Sequence, residues 1–308
     1  MKPLNIVKII DQWGWAYYFV DIEQQRYSRH NIIIQKYDNI NLNGVDILYV
    51  HGPNIHPSVN NLLPVARSRD IKIIGGYGGE LLNSPYSFVN ALVTISPKAY
   101  NHFKDKHQFP TVFLPESIDT NYFVPEVKPN SKSFKVGYAG STLPLKRTYL
   151  FDKLNFQVIK KCDWGKEFFV QKPQEDMKNF YKSIDALILL STTECMPRVV
   201  LEAMAMGLPI IATNVGCLNM LLPKEWLVDV NPDEEVVKQV NEKLKYLSKH
   251  PKERKEIGLR NRLHVEKYFS WKVTQPLWDS FFEIIYNNNI TALSTFPNYI
   301  DYFSNGVV

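Results

Sequence analysis

Short apolar segments separated by helix-length stretches recur along the chain and constrain its fold more than any other feature. They form two series: 4–10, 31–35, 46–50, 71–75, 91–96 and 111–115, then 134–140, 156–161, 167–171, 185–190, 208–213 and 225–230. Runs of this length that are rich in Ile and Val are typical of strands buried on both faces of a parallel sheet. The pattern therefore predicts an α/β fold with two mostly parallel sheets.

A polar segment, 124–133, rich in Pro, Lys, Asn and Ser, separates the two series. This composition is typical of a linker, and 308 residues are enough for two domains. After the second series, the segment 233–286 has the spacing of amphipathic helices with solvated charged faces. We therefore predict two α/β domains followed by helices, whereas the aperiodic tail 287–308 supports no prediction.

Composition excludes several classes of protein. The three cysteines, Cys162, Cys195 and Cys217, show neither CxxC nor Cys/His spacing typical of zinc sites, so a reduced cytoplasmic protein is expected. No signal-peptide core occurs, and no segment reaches the roughly 20 apolar residues of a membrane span. A net charge of +5 with interspersed acidic and basic residues argues against nucleic acid as a partner. A weak peripheral contact with the inner membrane face is left open.

The segment 185–213 carries the clearest functional pattern. An apolar strand leads into a polar turn, Pro197 stands at a first helical position, and the helix ends at Gly207 before another strand. In such a βαβ unit the helix begins at the carboxyl end of the strand, where its free N–H groups favour a phosphate. The predicted phosphate-binding backbone comprises Met196, Pro197, Arg198 and Val199.

Two carboxylates lie beside this predicted phosphate site. Glu194 is in the loop before the helix, and Glu202 lies within the helix. They would repel a bare anion, but each can accept hydrogen bonds from the ribose and hexose hydroxyls of a nucleotide sugar. Spacing alone leaves an alternative, in which Glu194 caps the helix and Glu202 lies on its exposed face.

The spacing Glu194-x7-Glu202, followed by AMAMGLPIIATNVG, resembles the motif of the retaining GT-B enzymes known as glycosyltransferase family 4, or glycosyl transferases group 1. The resemblance extends to LPESIDTNYFVP at 114–125, VGYAGSTLPLK at 136–146 and the closing helices at 265–282. It therefore covers most of the chain, and its central motif is far more specific than a pair of carboxylates.

A GT-B protein has two Rossmann-like domains facing each other across a cleft. The resemblance implies an acceptor-side domain at 1–130 and a nucleotide-sugar donor domain at 131–273. The remaining segment, 274–308, would form a helix that crosses back to the first domain, followed by a tail.

The implied activity is transfer of a sugar, with retention, from a UDP- or GDP-type sugar to a glycan, lipid-linked or other hydroxyl acceptor. No cofactor is implied besides the donor, which is a substrate. The sequence lacks a D-x-D pair, so a metal-independent enzyme is expected. A non-catalytic nucleotide-sugar-binding protein and a nucleotide-sugar epimerase of the same fold are the alternatives.

The resemblance assigns roles to individual residues. Glu202 matches the ribose-binding carboxylate, while Glu194 matches the contact to the donor sugar and Lys146 the lysine on the donor diphosphate. Glu194 and Lys146 are thus the catalytic candidates. Without the resemblance, Lys146 and its basic neighbour would be read as an exposed pair. The other donor-binding candidates are Gly140, Ser141, Arg147, Val170, Met196, Pro197, Arg198 and Val199.

One of these positions departs from the family pattern. Many members have an arginine where this chain has Ser141, so Arg147 or Arg198 is expected to supply the second cation. On the acceptor side, aromatic and glycine residues follow predicted strands, and core packing or a plain turn explains them as well. These acceptor-side candidates are Trp13, Gly14, Trp15 and Tyr77. His51 and His56, which lie near the expected cleft, are assigned no catalytic role.

Overall fold

The computed structural model describes residues 2–11, 13, 16–52, 57–78, 89–106, 108–126, 133–162, 173–297 and 299. The chain divides into two compact units. Unit 1 contains the described residues up to Ser117 together with those from Trp271 onward, and unit 2 contains Ile118–Ser270. The sequence placed these divisions near 130 and 273, whereas the units divide at Ser117 and Ser270.

The elements of both units follow the alternation that the sequence predicts. The strands are β1 Asn5–Ile10, β2 Asn31–Lys36, β3 Ile47–His51, β4 Lys72–Tyr77, β5 Ala91–Thr94, β6 Thr111–Phe113, β7 Val136–Ala139, β8 Val158–Lys161, β9 Ala186–Leu189, β10 Ile210–Thr213 and β11 Leu227–Val228. The helices are α1 Ala16–Tyr27, α2 Pro57–Ser68, α3 Pro97–Phe103, α4 Pro173–Ser183, α5 Arg198–Ala205, α6 Leu218–Leu221, α7 Asp233–Lys249, α8 Pro251–Tyr268 and α9 Trp271–Tyr286.

Unit 1 contains a six-stranded sheet in the order β2-β1-β3-β4-β5-β6, with every neighbouring pair parallel. Alternate residues point to opposite faces of a strand. On one face Leu48 belongs to a core cluster with Leu63 of α2, and on the other Ile6 and Ile74 cluster with Phe282 of α9. Helices therefore cover both faces of this sheet, and α9 is part of the core of unit 1.

Unit 2 contains a five-stranded parallel sheet in the order β11-β10-β9-β7-β8. The strands β7, β9 and β10 are fully buried because they lie inside the sheet and carry mostly Val, Leu, Ile and Ala. The predicted strand at 167–171 lies outside the described residues. No helix within the described ranges is long and apolar enough to cross a membrane.

Helices α5 and α8 approach each other closely where α5 ends. A Cβ placed on Gly258 of α8 would lie 1.9 Å from the carbonyl oxygen of Gly207. One turn along α8, Asn261 donates a hydrogen bond to the carbonyl oxygen of Leu208 at 2.8 Å. Since backbone atoms of the α5–β10 connection meet α8 directly, a larger residue at position 258 would have to displace that connection.

We therefore expect Gly258→Ala to lower the free energy of unfolding by about 1 to 3 kcal/mol, the usual cost of overpacking, despite the better helix propensity of alanine. Urea denaturation measures this change. The neighbouring exposed Leu259→Ala serves as the control, with an expected change within about 0.5 kcal/mol. If both variants unfold at the wild-type midpoint, this close contact between α5 and α8 does not exist.

Candidate functional site

The loop between β9 and α5 lies at the carboxyl edge of the sheet in unit 2. β9 ends at Leu189, Pro197 is the N-cap residue, and α5 begins at Arg198, one residue later than the sequence predicts. The first N–H groups of α5 have no partner within the helix, and the helix dipole gives them partial positive charge. This edge therefore offers a favourable place for an anionic group.

The two catalytic candidates contact each other at this edge. Nζ of Lys146 lies 2.5 Å from Oε1 of Glu194, and Oγ of Ser191 donates to the same carboxylate oxygen at 2.6 Å. The N–H of Thr192 donates to the carbonyl oxygen of Leu145 at 2.8 Å, which holds the turn bearing Lys146 against the β9–α5 loop. The lysine and glutamate side chains are only 20% and 9% exposed. Both are thus positioned by neighbouring groups.

Behind this loop lies Gly216, whose φ of +57° is in the left-handed region. A Cβ at this position would lie 2.0 Å from the carbonyl oxygen of Glu194. The next residue, Cys217, donates its N–H to the carbonyl oxygen of Cys195 at 2.9 Å. Glycine is required here because the backbone of the glutamate loop occupies the space that a side chain would need.

The turn after β7 also depends on a glycine. Gly140 has a φ of +145°, and a Cβ there would lie 2.7 Å from the Tyr138 hydroxyl. That hydroxyl donates to the carbonyl oxygen of Ser141 at 2.6 Å. Burial raises the pKa of Tyr138, and the nearby Cys162 and Glu194 raise it further. The phenol therefore stays protonated and holds the backbone of Ser141 near the Glu194 loop.

Glu202 is buried, with 5% exposure, so the structure contradicts the alternative in which it lies on an exposed helix face. Its Oε2 accepts a hydrogen bond from the Tyr181 hydroxyl at 2.7 Å, and its Oε1 accepts from Nε of Arg198 at 3.0 Å. Burial, together with the Glu202 carboxylate, raises the pKa of Tyr181 well above its ordinary value. Tyr181 is therefore a permanent donor that orients this carboxylate.

Both arginines that are candidates for the second cation, Arg147 and Arg198, bind other groups of unit 2. Arg147 is 2% exposed, and its guanidinium donates to the carbonyl oxygens of Leu190 and Val230, both at 2.6 Å, and contacts Asp233 at 3.3 Å. Arg198 is paired with the buried glutamate just described. Sequence does not separate Arg147 from its neighbour because adjacent basic residues look alike until a positive φ turns one side chain inward.

The remaining candidates have different positions. In unit 2, Met196 is buried, and Val199 lies in the first turn of α5. In unit 1, Tyr77 ends β4 with its ring packed against Phe103 at 4.9 Å between centroids. Trp13 is 47% exposed. The described residues that line a cavity of about 300 Å³ with it are Ile34, Gln35, Lys36, Asp38 and Asn39. Four positions named from the sequence lie outside the described residues, namely Gly14, Trp15, His56 and Val170.

Sequence reasoning missed one polar cluster in unit 1. Asp21 of α1 lies 2.7 Å, oxygen to nitrogen, from His51 at the end of β3, and it also contacts Lys8 of β1. The single signal for it is a lysine within an otherwise apolar strand. Within the described ranges, no three His, Cys, Asp or Glu side chains are grouped as a metal site would require.

Residues 157–264 match the family model described as "Glycosyl transferases group 1". The matched segment includes Glu194 and Glu202, while Lys146 precedes it. No curated protein matches the chain at a significant level.

Several solved structures share the fold. A glycosyltransferase from Rickettsia africae ESF-5 is 16% identical with a TM-score of 0.73, covering 92% of this chain and 99% of its own. A sucrose-phosphate synthase from Thermosynechococcus elongatus is 12% identical with a TM-score of 0.70, covering 92% and 100%. Anabaena HepE in complex with UDP is 12% identical with a TM-score of 0.64, covering 95% and 100%.

These matches agree with the resemblance read from the sequence. The family match falls on the unit that holds the two glutamates, and the solved structures cover both units. Residues 157–264 thus match the family model of glycosyl transferases group 1, and the chain has the GT-B fold of the glycosyltransferases that it resembles.

Proposed function

We propose that this enzyme transfers a glycosyl group, with retention, from a nucleoside diphosphate sugar to a hydroxyl of a glycan, lipid-linked or other acceptor. The observation that carries the proposal is the contact of Lys146 with Glu194 beside the first turn of α5, with the oriented carboxylate of Glu202 in the same helix. Solved structures of the similar HepE contain UDP and UDP-glucose, which supports a UDP-type donor.

Lys146 and Glu194 would exchange partners when the donor binds. The ammonium and carboxylate neutralise each other in the free protein. A diphosphate beside Nζ of Lys146 would take over the ammonium because it carries more negative charge than one carboxylate. Oε1 of Glu194 would then be available to a hydroxyl of the donor sugar while Ser191 keeps it oriented. Diphosphate binding and sugar recognition would therefore be coupled.

The proposed reaction depends on stabilising the negative charge that develops on the diphosphate leaving group. As the bond between the anomeric carbon and the diphosphate oxygen breaks, the leaving group gains negative charge that Lys146 and the α5 N–H groups stabilise. The acceptor oxygen bonds to the anomeric carbon on the face that the leaving group vacates. Its proton passes to an oxygen of the departing diphosphate. The products are the retained glycoside and the nucleoside diphosphate.

Donor turnover tests the proposed function directly. A thermal-shift panel of nucleotides and nucleotide sugars identifies the donor, and chromatography then follows its conversion. Release of nucleoside diphosphate together with a glycosylated acceptor or free sugar is expected. Donor binding without turnover would instead indicate a nucleotide-sugar-binding protein, and a changed sugar on an intact donor would indicate an epimerase.

Replacing Glu194 by glutamine is expected to affect binding and turnover in opposite directions. The amide removes the charge that competes for Lys146, so UDP should bind about fivefold more tightly, the effect of roughly 1 kcal/mol. Turnover should fall because the amide is a weaker acceptor for the sugar hydroxyl. Calorimetry with UDP and steady-state kinetics measure the two effects. UDP affinity that is unchanged or weaker would contradict the exchange of partners.

Turnover is expected to survive chelation because the sequence has no D-x-D pair, and Lys146 and the α5 N–H groups are assigned to the diphosphate charge. Initial rates measured with and without EDTA should agree within error. A rate lost in EDTA and restored by Mg²⁺ or Mn²⁺ would refute metal independence.

We also propose a cytoplasmic role in polysaccharide biosynthesis, in line with the free thiols of Cys162, Cys195 and Cys217.

A further inference from the structure

Unit 1 holds a buried cluster of ionisable side chains that the donor chemistry does not use. Lys8, Asp21 and His51 are 1%, 0% and 7% exposed. One carboxylate oxygen of Asp21 contacts Nζ of Lys8 and the other lies 2.7 Å from Nε2 of His51. Lys8 also donates to Oε1 of Gln24 at 2.6 Å. Burying charges is costly, and such clusters in a sheet crevice are candidates for functional sites.

The cluster lies where a ligand would be expected in an open parallel sheet. From β1 the chain passes through α1 to β2 on one side, and then to β3 on the other side of β1. Ligands bind beyond the carboxyl ends of strands where the order reverses in this way. His51 is the last residue of β3, whereas Lys8 lies inside β1 and Asp21 on the connecting α1. The imidazole is therefore the member of the cluster nearest to that crevice.

The contacts of the imidazole define its hydrogen-bonding state. Because the carboxylate of Asp21 is an acceptor, Nε2 of His51 carries the proton. Burial lowers the pKa of His51, and this outweighs the opposing effect of Asp21, so the ring is neutral at pH 7. Its Nδ1 then has a lone pair, and no described residue donates a hydrogen bond to that nitrogen.

Two tyrosine rings and a glycine surround the imidazole of His51 at the end of β3. The Tyr17 ring stacks on the imidazole with centroids 4.3 Å apart, and Tyr49 meets it edge-on at 4.9 Å. The following residue, Gly52, has a φ of +82° and no side chain to fill the space beside the Tyr17 hydroxyl. The ring is therefore held by its contacts with the two tyrosine rings and by Asp21, with Nδ1 as its remaining polar atom.

We infer that Nδ1 of His51 accepts a hydrogen bond from a hydroxyl of the sugar acceptor, with Asp21 and Lys8 as positioning residues. The identity of the ligand as the acceptor rests on the proposed function. Lys8 and Asp21 neutralise each other beside a neutral imidazole, which suits an uncharged hydroxyl better than an ionic group. Binding transfers no proton to His51.

Methyl glycosides of glucose, galactose, mannose and N-acetylglucosamine are the probes. In protein with ¹⁵N-labelled histidine, Nδ1 of His51 should resonate as an unprotonated nitrogen and Nε2 as a protonated one. At least one glycoside, added with UDP present, should shift the Nδ1 resonance saturably. If no glycoside moves that resonance, the inference is wrong.

Two substitutions separate the ring nitrogens. In His51→Gln the amide can reach the Nε2 position and keep the contact with Asp21, but nothing replaces Nδ1. In His51→Asn the amide carbonyl can replace Nδ1, but the contact with Asp21 is lost. Ligand-observed NMR titration should show glycoside binding about tenfold weaker in His51→Gln, the effect of losing one hydrogen bond, and a smaller loss in His51→Asn.

A matched control is His250→Gln, which changes a histidine stacked on Tyr246 in unit 2 and should leave glycoside affinity unchanged. UDP affinity should be unchanged in all three variants. Wild-type glycoside affinity in folded His51→Gln would overturn the inference. Glycoside binding through His51 in a protein that never turns over a donor would refute the proposed function alone, so the two failures are distinguishable.

Discussion

Lys146→Ala is expected to lower turnover about a hundredfold while weakening donor binding much less. The negative charge on the diphosphate grows as the glycosidic bond breaks, so a positioned ammonium contributes more to the transition state than to the bound donor. Loss of one such electrostatic contact in other enzymes costs on the order of 3 kcal/mol. Separate measurements of kcat and of donor Kd test this difference.

The position of Arg147 sharpens this expectation. A second cation next to Lys146 would soften the loss, but the guanidinium of Arg147 is held by the Leu190 and Val230 carbonyls inside unit 2. We therefore expect little compensation. The exposed Lys153→Ala is the matched control and should keep wild-type kcat. An unchanged kcat in folded Lys146→Ala would remove this loop from the donor site.

Glu202→Ala is expected to lower both stability and donor affinity. The substitution leaves a buried guanidinium, that of Arg198, without the carboxylate it contacts at 3.0 Å. It also takes away the nearer of two acceptors of the Tyr181 hydroxyl, which keeps the carbonyl oxygen of Val199 at 3.3 Å. Breaking a buried ion pair on one side typically costs about 3 to 5 kcal/mol. Urea unfolding measures the stability, and calorimetry with UDP measures the affinity.

Two related variants separate these effects. Tyr181→Phe removes only the hydroxyl and should cost about 1 kcal/mol of stability, with a smaller loss of UDP affinity than replacement of Glu202 itself. Glu202→Gln keeps the volume of the side chain, so a folded protein with weakened UDP binding is expected. Wild-type UDP affinity in Glu202→Gln would refute the assignment of Glu202 to the ribose, and unchanged unfolding of Glu202→Ala would contradict its burial.

Local patterns predicted the strands well because buried parallel strands need a continuous apolar run, such as Ile47–Val50. The pattern also located the β9–α5 turn. Proline is favoured where a helix begins, as Pro197 is here, and glycine is favoured just after a helix ends because it adopts a positive φ, as Gly207 does. These are properties of neighbouring residues. They required no knowledge of what packs against them.

Contacts between residues that are distant in the sequence could not be predicted from local patterns. The spacing of Glu194 and Glu202 suggests a shared site but does not reveal that Glu202 is buried and accepts a hydrogen bond from Tyr181, 21 residues away. Likewise, His51 and Asp21 are 30 residues apart, and their pairing follows from strand order rather than from either local sequence. Burial decides what a polar residue does, and tertiary structure sets burial.

On donor binding, the diphosphate of a nucleotide sugar is expected to displace Glu194 from Lys146. A crystal structure of the protein with UDP and with its sugar donor tests it most directly. Diphosphate oxygens should lie within hydrogen-bond distance of Nζ of Lys146, the ribose hydroxyls should contact Glu202, and the Glu194 carboxylate should be turned to the sugar. A nucleotide bound elsewhere, with the contact between Lys146 and Glu194 intact, would contradict it.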